Sequence, residues 1–553
     1  MFYKGIIFDL DNTIYNYTEC HNIAITATLT YFNTLIECTF DELFVQYTII
    51  SKSLKQQISN VASSHNKSIY FKHLCEHYNV SFTHYKTICD MYWSKFYENI
   101  KCFPGLQEFI EWNKNIGIKI LILTDYETEY QIEKISKCNL LNFIDHIVTS
   151  EEVGIEKPHQ NMFNYAMEKL DLQHHEVLMI GDNYEKDIRG ATQCNIKSYW
   201  FTDCDSDTMF SDYKKLFAKF KSYYDDITTL KNLSRYCGER FDLVQGGGGN
   251  TSVKNNNIMF IKASGHTLAN MTLNNGYSTI DNNKLLHDIS SNTINNIMTY
   301  NFFGETRSSI ETFMHSVLNK YVLHLHPIQI LKVLVTKNAE TIVNKLCPVA
   351  LFLPYITPGI EICTQLLKLW KGEKIIFLQN HGIIITSNNI GEIYSILENT
   401  IEKFEKYLNI DYSSYKYVNI ISNYIDPSYK YVTWLCEDEI IKHYIKNINI
   451  LTDKITFPDA LIYCGIKLLL ITDNNIGTLS TFIEQINCVP AIVLYKNNIY
   501  IVGLSLNKCK EIQDVFKAKL LISDVNDEKN YLSDNEICFL SNWDAEKYRQ
   551  LMN

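Results

Sequence analysis

Three apolar runs, GIIFDLDNT, IKILILTDY and VLMIGDNYEKD, each break off at a carboxylate. Continuous Ile/Leu/Val runs of this length read as strands buried on both faces, the pattern of a parallel sheet. Helix-patterned stretches separate them, so this part of the chain is expected to wind as strand–helix–strand units into an open α/β sheet. Asp9 and Asp11, then Thr124 and Asp125, then Asp182 with Asp187 behind it, would all lie at the carboxyl ends of its strands. That is the edge at which such sheets bind ligands.

Asp9 and Asp11 stand two apart at a strand end, so their carboxylates are expected to point the same way and repel. A hard divalent cation such as Mg²⁺ relieves such repulsion. Lys157, in EKP, adds one cation to the set. Each feature is common alone. Their order and spacing together resemble the haloacid dehalogenase superfamily, over roughly residues 1–215. By that resemblance Asp9 is the nucleophile that forms an aspartyl-phosphate, and Asp11 protonates the leaving alcohol and later activates water. Thr124 and Lys157 would hold the phosphoryl group, and Asp9, Asp11, Asp182 and Asp187 would hold Mg²⁺. Asp at position 11 favours phosphatase over dehalogenase chemistry, because a leaving oxygen needs an acid. The helix-patterned stretch at about residues 15–100 resembles the inserted helical cap of the superfamily.

From about Thr202 to Asn232 the pattern loosens into DCDSDT and a mixed amphipathic helix, read as the link between two domains. A second chemical signal follows. The run SSIETFMHSVLNKYVLHLHP places Glu311 and His315 four apart, on one face if the segment is helical. YVLHLH alternates as a strand, with Val322, His324 and His326 on one side. Two imidazoles on one strand face, a third at His381 in FLQNHGIII and a nearby carboxylate are the makings of a three-histidine metal site with an open position. Upstream, QGGGGNTSVKNNNIMFIKASG carries Gly246 to Gly249, whose free backbone N–H groups and following hydroxyls suit an anion, ahead of a hairpin ending at Ser264 and Gly265.

The words GGGNTSVK, KASG, SIET, HxHP and NHG together resemble the class II aldolase/adducin family, closest to the aldolase part of rhamnulose-phosphate aldolase/alcohol dehydrogenase fusions. The resemblance implies a class II aldolase-type α/β/α domain in which His324, His326 and His381 bind Zn²⁺ and Glu311 is the acid/base. Asn250, Ser252, Ser264, Gly265, Ser308 and Ser309 would surround a phosphate. It implies a ketose 1-phosphate cleaved to, or built from, dihydroxyacetone phosphate and an aldehyde, without a Schiff-base lysine. A sugar-phosphate dehydratase paired with a phosphatase, as in methionine salvage, stays open, and so does a metal-free adducin-like scaffold. Family habit implies a homo-oligomer, with tetramers common.

Length and composition bound the rest. At 553 residues the chain exceeds one core, and the expected division is a hydrolase domain (1–215), an aldolase-like domain (216–430) and a small α/β extension (431–553) with a hairpin at Asn497–Asn498. A formal charge of −11 argues against nucleic-acid or anionic-membrane partners, leaving small phosphorylated sugars. Sixteen cysteines without a C-x-x-C pair, no membrane-length apolar run and a start straight into FYKGIIFDLDNT lead to the expectation of a cytoplasmic protein with free thiols. No G-x-G-x-x-G follows a strand, so no nicotinamide cofactor is expected.

Overall fold

The computed structural model describes residues 3–303, 306–471, 475–486 and 488–541. The chain forms two compact units that divide between Tyr224 and Asp225. No helix among the described residues is long and apolar enough to cross a membrane.

The first unit is built on a six-stranded parallel sheet of β1 (Gly5–Phe8), β2 (Lys119–Thr124), β3 (His146–Thr149), β4 (Val177–Gly181), β5 (Lys197–Phe201) and β6 (Met209–Phe210), in the order β3-β2-β1-β4-β5-β6. Ile7 pairs with Leu121 on one side and Met179 on the other, so β1, β2 and β4 end nearly level. Ile7, Leu121, Leu123 and Met179 pack with Phe163 and Leu170 of the helix Gln160–Leu170. Between β1 and β2 the chain makes a four-helix cap: α1 (Tyr17–Asn33), α2 (Phe40–Gln57), α3 (Lys67–His77) and α4 (Tyr85–Glu98). A capping box between Thr39 and Glu42 opens α2. Aromatic rings hold the cap together, with Tyr47 stacked on Phe71 and Phe71 edge-on to Tyr92.

The stretch read as a link contains one continuous helix, Tyr213–Gly238, which runs through the division between the units. The signal for it is present in Leu216, Phe220, Tyr223, Ile227, Leu230, Leu233 and Cys237, all buried at helical spacing.

The second unit holds two sheets. The larger has eight strands, β7 (Asn250–Asn255), β8 (Ile258–Lys262), β9 (Tyr277–Asp281), β10 (Asn301–Phe303), β11 (Tyr321–Leu325), β12 (Leu351–Leu353), β13 (Ile375–Leu378) and β14 (Gly382–Ser387), ordered β10-β9-β8-β7-β11-β14-β13-β12. β11 lies between antiparallel β7 and β14. Leu323 and Leu325 face one core with Ile383 and Ile385, covered by the helix Ile390–Leu408. Val322 and Ile384 face the other, with Leu366 of the helix Ile360–Leu369. Helices therefore cover both faces of the sheet.

The last sheet comprises β15 (Val432–Leu435), β16 (Leu469–Ile471), β17 (Ile492–Tyr495) and β18 (Asn498–Gly503), ordered β15-β18-β17-β16. Two expectations shift here. Val418 and Ile421 of the helix Ser413–Ile425 share a core with Leu435, Val493 and Tyr500, so the extension begins before residue 431. The hairpin turn is Lys496–Asn497, both at positive φ, one residue earlier than Asn497–Asn498. Two left-handed residues match the twist of the paired strands. Residues 542–553, also assigned to this extension, lie outside the described residues.

Because Leu323 is fully buried at the centre of the eight-stranded sheet, Leu323→Ala is expected to lower the urea midpoint of the second unit. The loss should correspond to about 2–5 kcal/mol.

Candidate active sites

The level strand ends of the first unit bring Asp9, Thr124, Asp182 and Asp187 around one cavity of about 290 Å³. Lys157 is their hub. Its ammonium donates to Asp9 Oδ1 at 2.5 Å and to Asp187 Oδ1 at 2.6 Å, and it is almost wholly buried. Thr13 Oγ1 lies 3.0 Å from Asp9 Oδ2 and accepts the Asp182 backbone N–H at 3.0 Å, tying two strand ends together. The sequence reading had given that threonine no role. Thr124 Oγ1 accepts from Gln131 Nε2 at 2.5 Å on the same cavity wall. Gly181 is needed for this approach, since a Cβ there would stand 2.5 Å from the Asp187 carboxylate.

Asp9, Asp182 and Asp187 each offer an oxygen to one point, within 4.8 Å of one another. Three carboxylates against one ammonium leave an excess of negative charge, which fits a hard divalent cation. Burial pushes the Asp9 carboxyl well above its ordinary range; Lys157 pulls against it, and Asp187 and Asp182 add to the rise. Burial and the Asp187 charge push Asp182 up to about 6.

Asp11 does not join them. β1 ends at Phe8, and Asn12 adopts a left-handed φ of 65°, so the alternation assumed for Asp9 and Asp11 no longer holds. The Asp11 carboxylate instead takes both its oxygens to Lys134 Nζ at 3.0 Å and accepts the Tyr15 hydroxyl at 2.5 Å. Its expected place as a side-chain metal ligand is therefore corrected, although it still lines the cavity.

In the second unit the three imidazoles converge by their Nε2 atoms. His324 lies 3.1 Å from His326 and 3.3 Å from His381. β11 carries His324, His326 follows its last residue, and His381 precedes β14. Glu311 Oε1 lies 3.3 Å from the Nε2 of both His324 and His381, and its other oxygen accepts from Asn250 Nδ2. Asn250 pairs with His324 across β7 and β11. The His324 Nδ1 lies 3.1 Å from the Ile383 carbonyl, which can only accept, so Nδ1 carries a proton and Nε2 is turned toward the cluster. Three imidazole nitrogens this close would, once free of protons, fit a shared cation, and three imidazoles suit zinc. Burial depresses His326 to about 3, with His324 and His381 adding to the effect. Burial alone would raise Glu311, but the neighbouring His324 and His381 hold its carboxyl far below the usual range.

Glu311 precedes the short helix Thr312–Ser316 and is not inside it. His315 is fully buried behind it, its Nδ1 2.8 Å from the Ser252 hydroxyl. Ser252 is thereby withdrawn from the expected phosphate surround. The other small-residue segments do meet: Ala263 bridges Ser308, and the Ser264 N–H donates to the Arg307 carbonyl. Ser308 Oγ is buried without a partner, Ser309 Oγ accepts the Glu311 N–H, and Ser264 and Gly265 are exposed beside them. Lys262, passed over in the sequence, donates to the Gly247 carbonyl at 3.0 Å and feels the Glu311 charge. Two of the four glycines serve packing. A Cβ on Gly248 would stand 2.9 Å from His326 Nδ1, and one on Gly249 would stand 3.1 Å from the His324 carbonyl.

Residues 6–201 match the haloacid dehalogenase-like hydrolases, and residues 230–408 match the class II aldolase and adducin N-terminal domain. A ribulose-1,5-bisphosphate 5-phosphatase of Halopiger xanaduensis is 32% identical over 200 residues, 36% of this chain and 84% of that protein. The chain belongs to the haloacid dehalogenase-like hydrolases. Its first part is a haloacid dehalogenase-like hydrolase and its second a class II aldolase-family domain. A glyceraldehyde 3-phosphate phosphatase of Methanocaldococcus jannaschii is 28% identical over 243 residues, 42% of this chain and 99% of that protein. A solved class II aldolase domain of a Thermoplasma acidophilum protein is 25% identical and covers 38% of this chain and 99% of its own. Its TM-score is 0.30.

The hydrolase site carries a testable consequence of its crowding. An aspartate raised in the folded state binds protons more readily there than when unfolded. Its stabilising contribution is full below the unfolded value of about 3.9 and is lost as pH climbs through about 6. In metal-free protein, Asp182→Asn is expected to remove this loss and raise the melting temperature at pH 7. Mg²⁺ should raise the melting temperature of the parent and leave the variant unmoved. Thermal scans at pH 4 to 7, with and without Mg²⁺, check both.

Proposed function

We propose that this chain is a bifunctional sugar-phosphate enzyme: a Mg²⁺-dependent phosphatase acting through Asp9, and a Zn²⁺-dependent aldolase acting through Glu311. The first reading is supported by Lys157 bridging Asp9 and Asp187 at a strand-end cavity that also holds Thr124, Asp125 and Asp182. Asp9 attacks phosphorus and its oxygen takes the phosphoryl group as the P–O bond to the sugar breaks. Lys157 offers its ammonium to the transferring phosphoryl oxygens, and Thr124 stands on the same wall. Asp11, held by Lys134 and Tyr15, gives a proton to the leaving alkoxide and then takes one from the attacking water. The relatives act on ribulose 1,5-bisphosphate and on glyceraldehyde 3-phosphate, and we carry over a small phosphorylated sugar as the substrate class.

The second reading is supported by the convergence of His324, His326 and His381 with Glu311 on the same cluster. A zinc ion held there would supply Lewis-acid stabilisation to the oxygen that gains charge when a carbon–carbon bond breaks. Glu311 moves the proton on and off the adjacent carbon, steadied by Asn250. Ser308 Oγ, with Ser309, Ser264 and Gly265 nearby, offers donors to the phosphate of a ketose 1-phosphate. We further propose a cytoplasmic homo-oligomer.

Metal analysis of the purified protein should find stoichiometric zinc that is lost in His324→Ala. With ketose 1-phosphates, Glu311→Gln is expected to cut dihydroxyacetone phosphate release at least 100-fold while phosphate release persists. Asp9→Asn should do the reverse. Zinc without triose release from any such sugar would overturn the aldolase reading, and phosphate release that survives Asp9→Asn would overturn the phosphatase reading.

A further inference from the structure

The hydrolase cavity is lined by five lysines, and three of them are neutralised. Lys157 meets Asp9 and Asp187, Lys134 meets Asp11, and Lys186 meets Asp125 at 2.6 Å and Glu156 at 3.2 Å. Lys55 and Lys67, both from the cap, differ. Among the described residues no carboxylate comes within ion-pair distance of either. Lys55 is exposed near the end of α2. Lys67 opens α3 and is only 6% exposed, and its ammonium donates to the His65 carbonyl at 3.2 Å. A buried ammonium without an acid costs several kcal/mol unless something anionic reaches it. Lys67 also begins a helix, where the positive end of the dipole adds to the penalty. Burial depresses it to about 7, Lys55 and Lys134 push it the same way, and the Asp11 charge, itself paired with Lys134, offsets them only in part.

Nothing in the local packing lets Lys67 escape this. Ser64 Oγ donates to Glu156 at 3.2 Å, His65 Nε2 lies 3.1 Å from the same carboxylate, and Asn66 Nδ2 donates to both oxygens of Glu127 at 2.6 and 2.8 Å. The segment that delivers Lys67 to the cavity is thus fastened residue by residue. Across the cavity the strand-end carboxylates gather around Lys157, so positive charge without a counter-ion lies on the cap side.

We propose that the phosphatase site takes a phosphate ester bearing a second anionic group, phosphate or carboxylate, which Lys55 and Lys67 hold while the ester phosphate lies at Asp9. This deepens the phosphatase reading above and rests on it. A singly phosphorylated, otherwise neutral sugar leaves Lys67 in its unpaired state and binds correspondingly less well.

Two matched pairs test this on the full chain with Mg²⁺: ribose 1,5-bisphosphate against ribose 5-phosphate, and 3-phosphoglycerate against glycerol 3-phosphate. The quantity read is the ratio of kcat/KM within each pair. The parent is expected to favour the second anion at least tenfold in one pair, chiefly through KM, and the favoured pair tells phosphate from carboxylate. Lys67→Met and Lys55→Met should each collapse that ratio by about tenfold, and Lys67→Arg should restore it to within about threefold. Should Lys67→Met not fold, Lys55→Met at its exposed position carries the same reading. Ratios near one in both pairs, or ratios that survive both substitutions, would overturn the proposal while Asp9-dependent phosphate release still stood. Release that does not depend on Asp9 would remove the phosphatase reading itself.

Discussion

Lys157 is the ion around which the hydrolase site is arranged. One ammonium sits within 2.6 Å of two carboxylates, and a third, Asp182, stands beside them. Without it, Asp9 and Asp187 could not share a buried strand end in their charged forms, because desolvation and mutual repulsion both favour protonation. With it, negative charge remains in excess, which fits a divalent cation. The backbone makes room in the same way: Gly181 lacks the Cβ that would collide with Asp187. Charge crowding that is costly to the fold is what the chemistry uses.

The imidazole cluster of the second unit follows a related logic with a different donor. There the crowded atoms are imidazole nitrogens, and the Ile383 carbonyl orients the His324 ring through its Nδ1. β11 lies between β7 and β14, so Asn250, His324 and Ile383 are neighbours by register and not by sequence. Gly248 and Gly382 then let backbone approach His326 to within contact distance. Asn250 fixes Glu311 from the next strand. Rigid sheet positions hold both sites, which is why few residues are needed to build each.

Much of this was legible in the residues. Asp9, Thr124 and Asp182 stand out because strands that stop at polar groups put those groups on one edge, and Lys157 and Asp187 join them through the order and spacing of the motifs. His324, His326 and His381 stand out because period-two alternation and an NHG turn announce ligands. Other residues were not legible. Asp11 was misassigned as a side-chain ligand because its orientation depends on Lys134, more than a hundred positions away. Ser252 shares the strand of Asn250, yet a buried His315 claims its hydroxyl. Lys262 and Thr13 stand inside the words KASG and FDLDNT, yet nothing local gives either a role. The helix Tyr213–Gly238 was legible in its apolar spacing and was overshadowed by the loose segment before it.

The sequence by itself determined the two families, the α/β classes of their sheets and the residue types at each site, because strand periodicity and motif spacing are local properties. Tertiary structure alone decided which charges face one another. It turned Asp11 away from the aspartate cluster, brought Lys262 to the glycine run and left Lys55 and Lys67, alone of the cavity's five lysines, without an ion-paired acid among the described residues. The reason is physical: ion pairing and desolvation act through space over a few ångströms, between groups that the chain order keeps far apart.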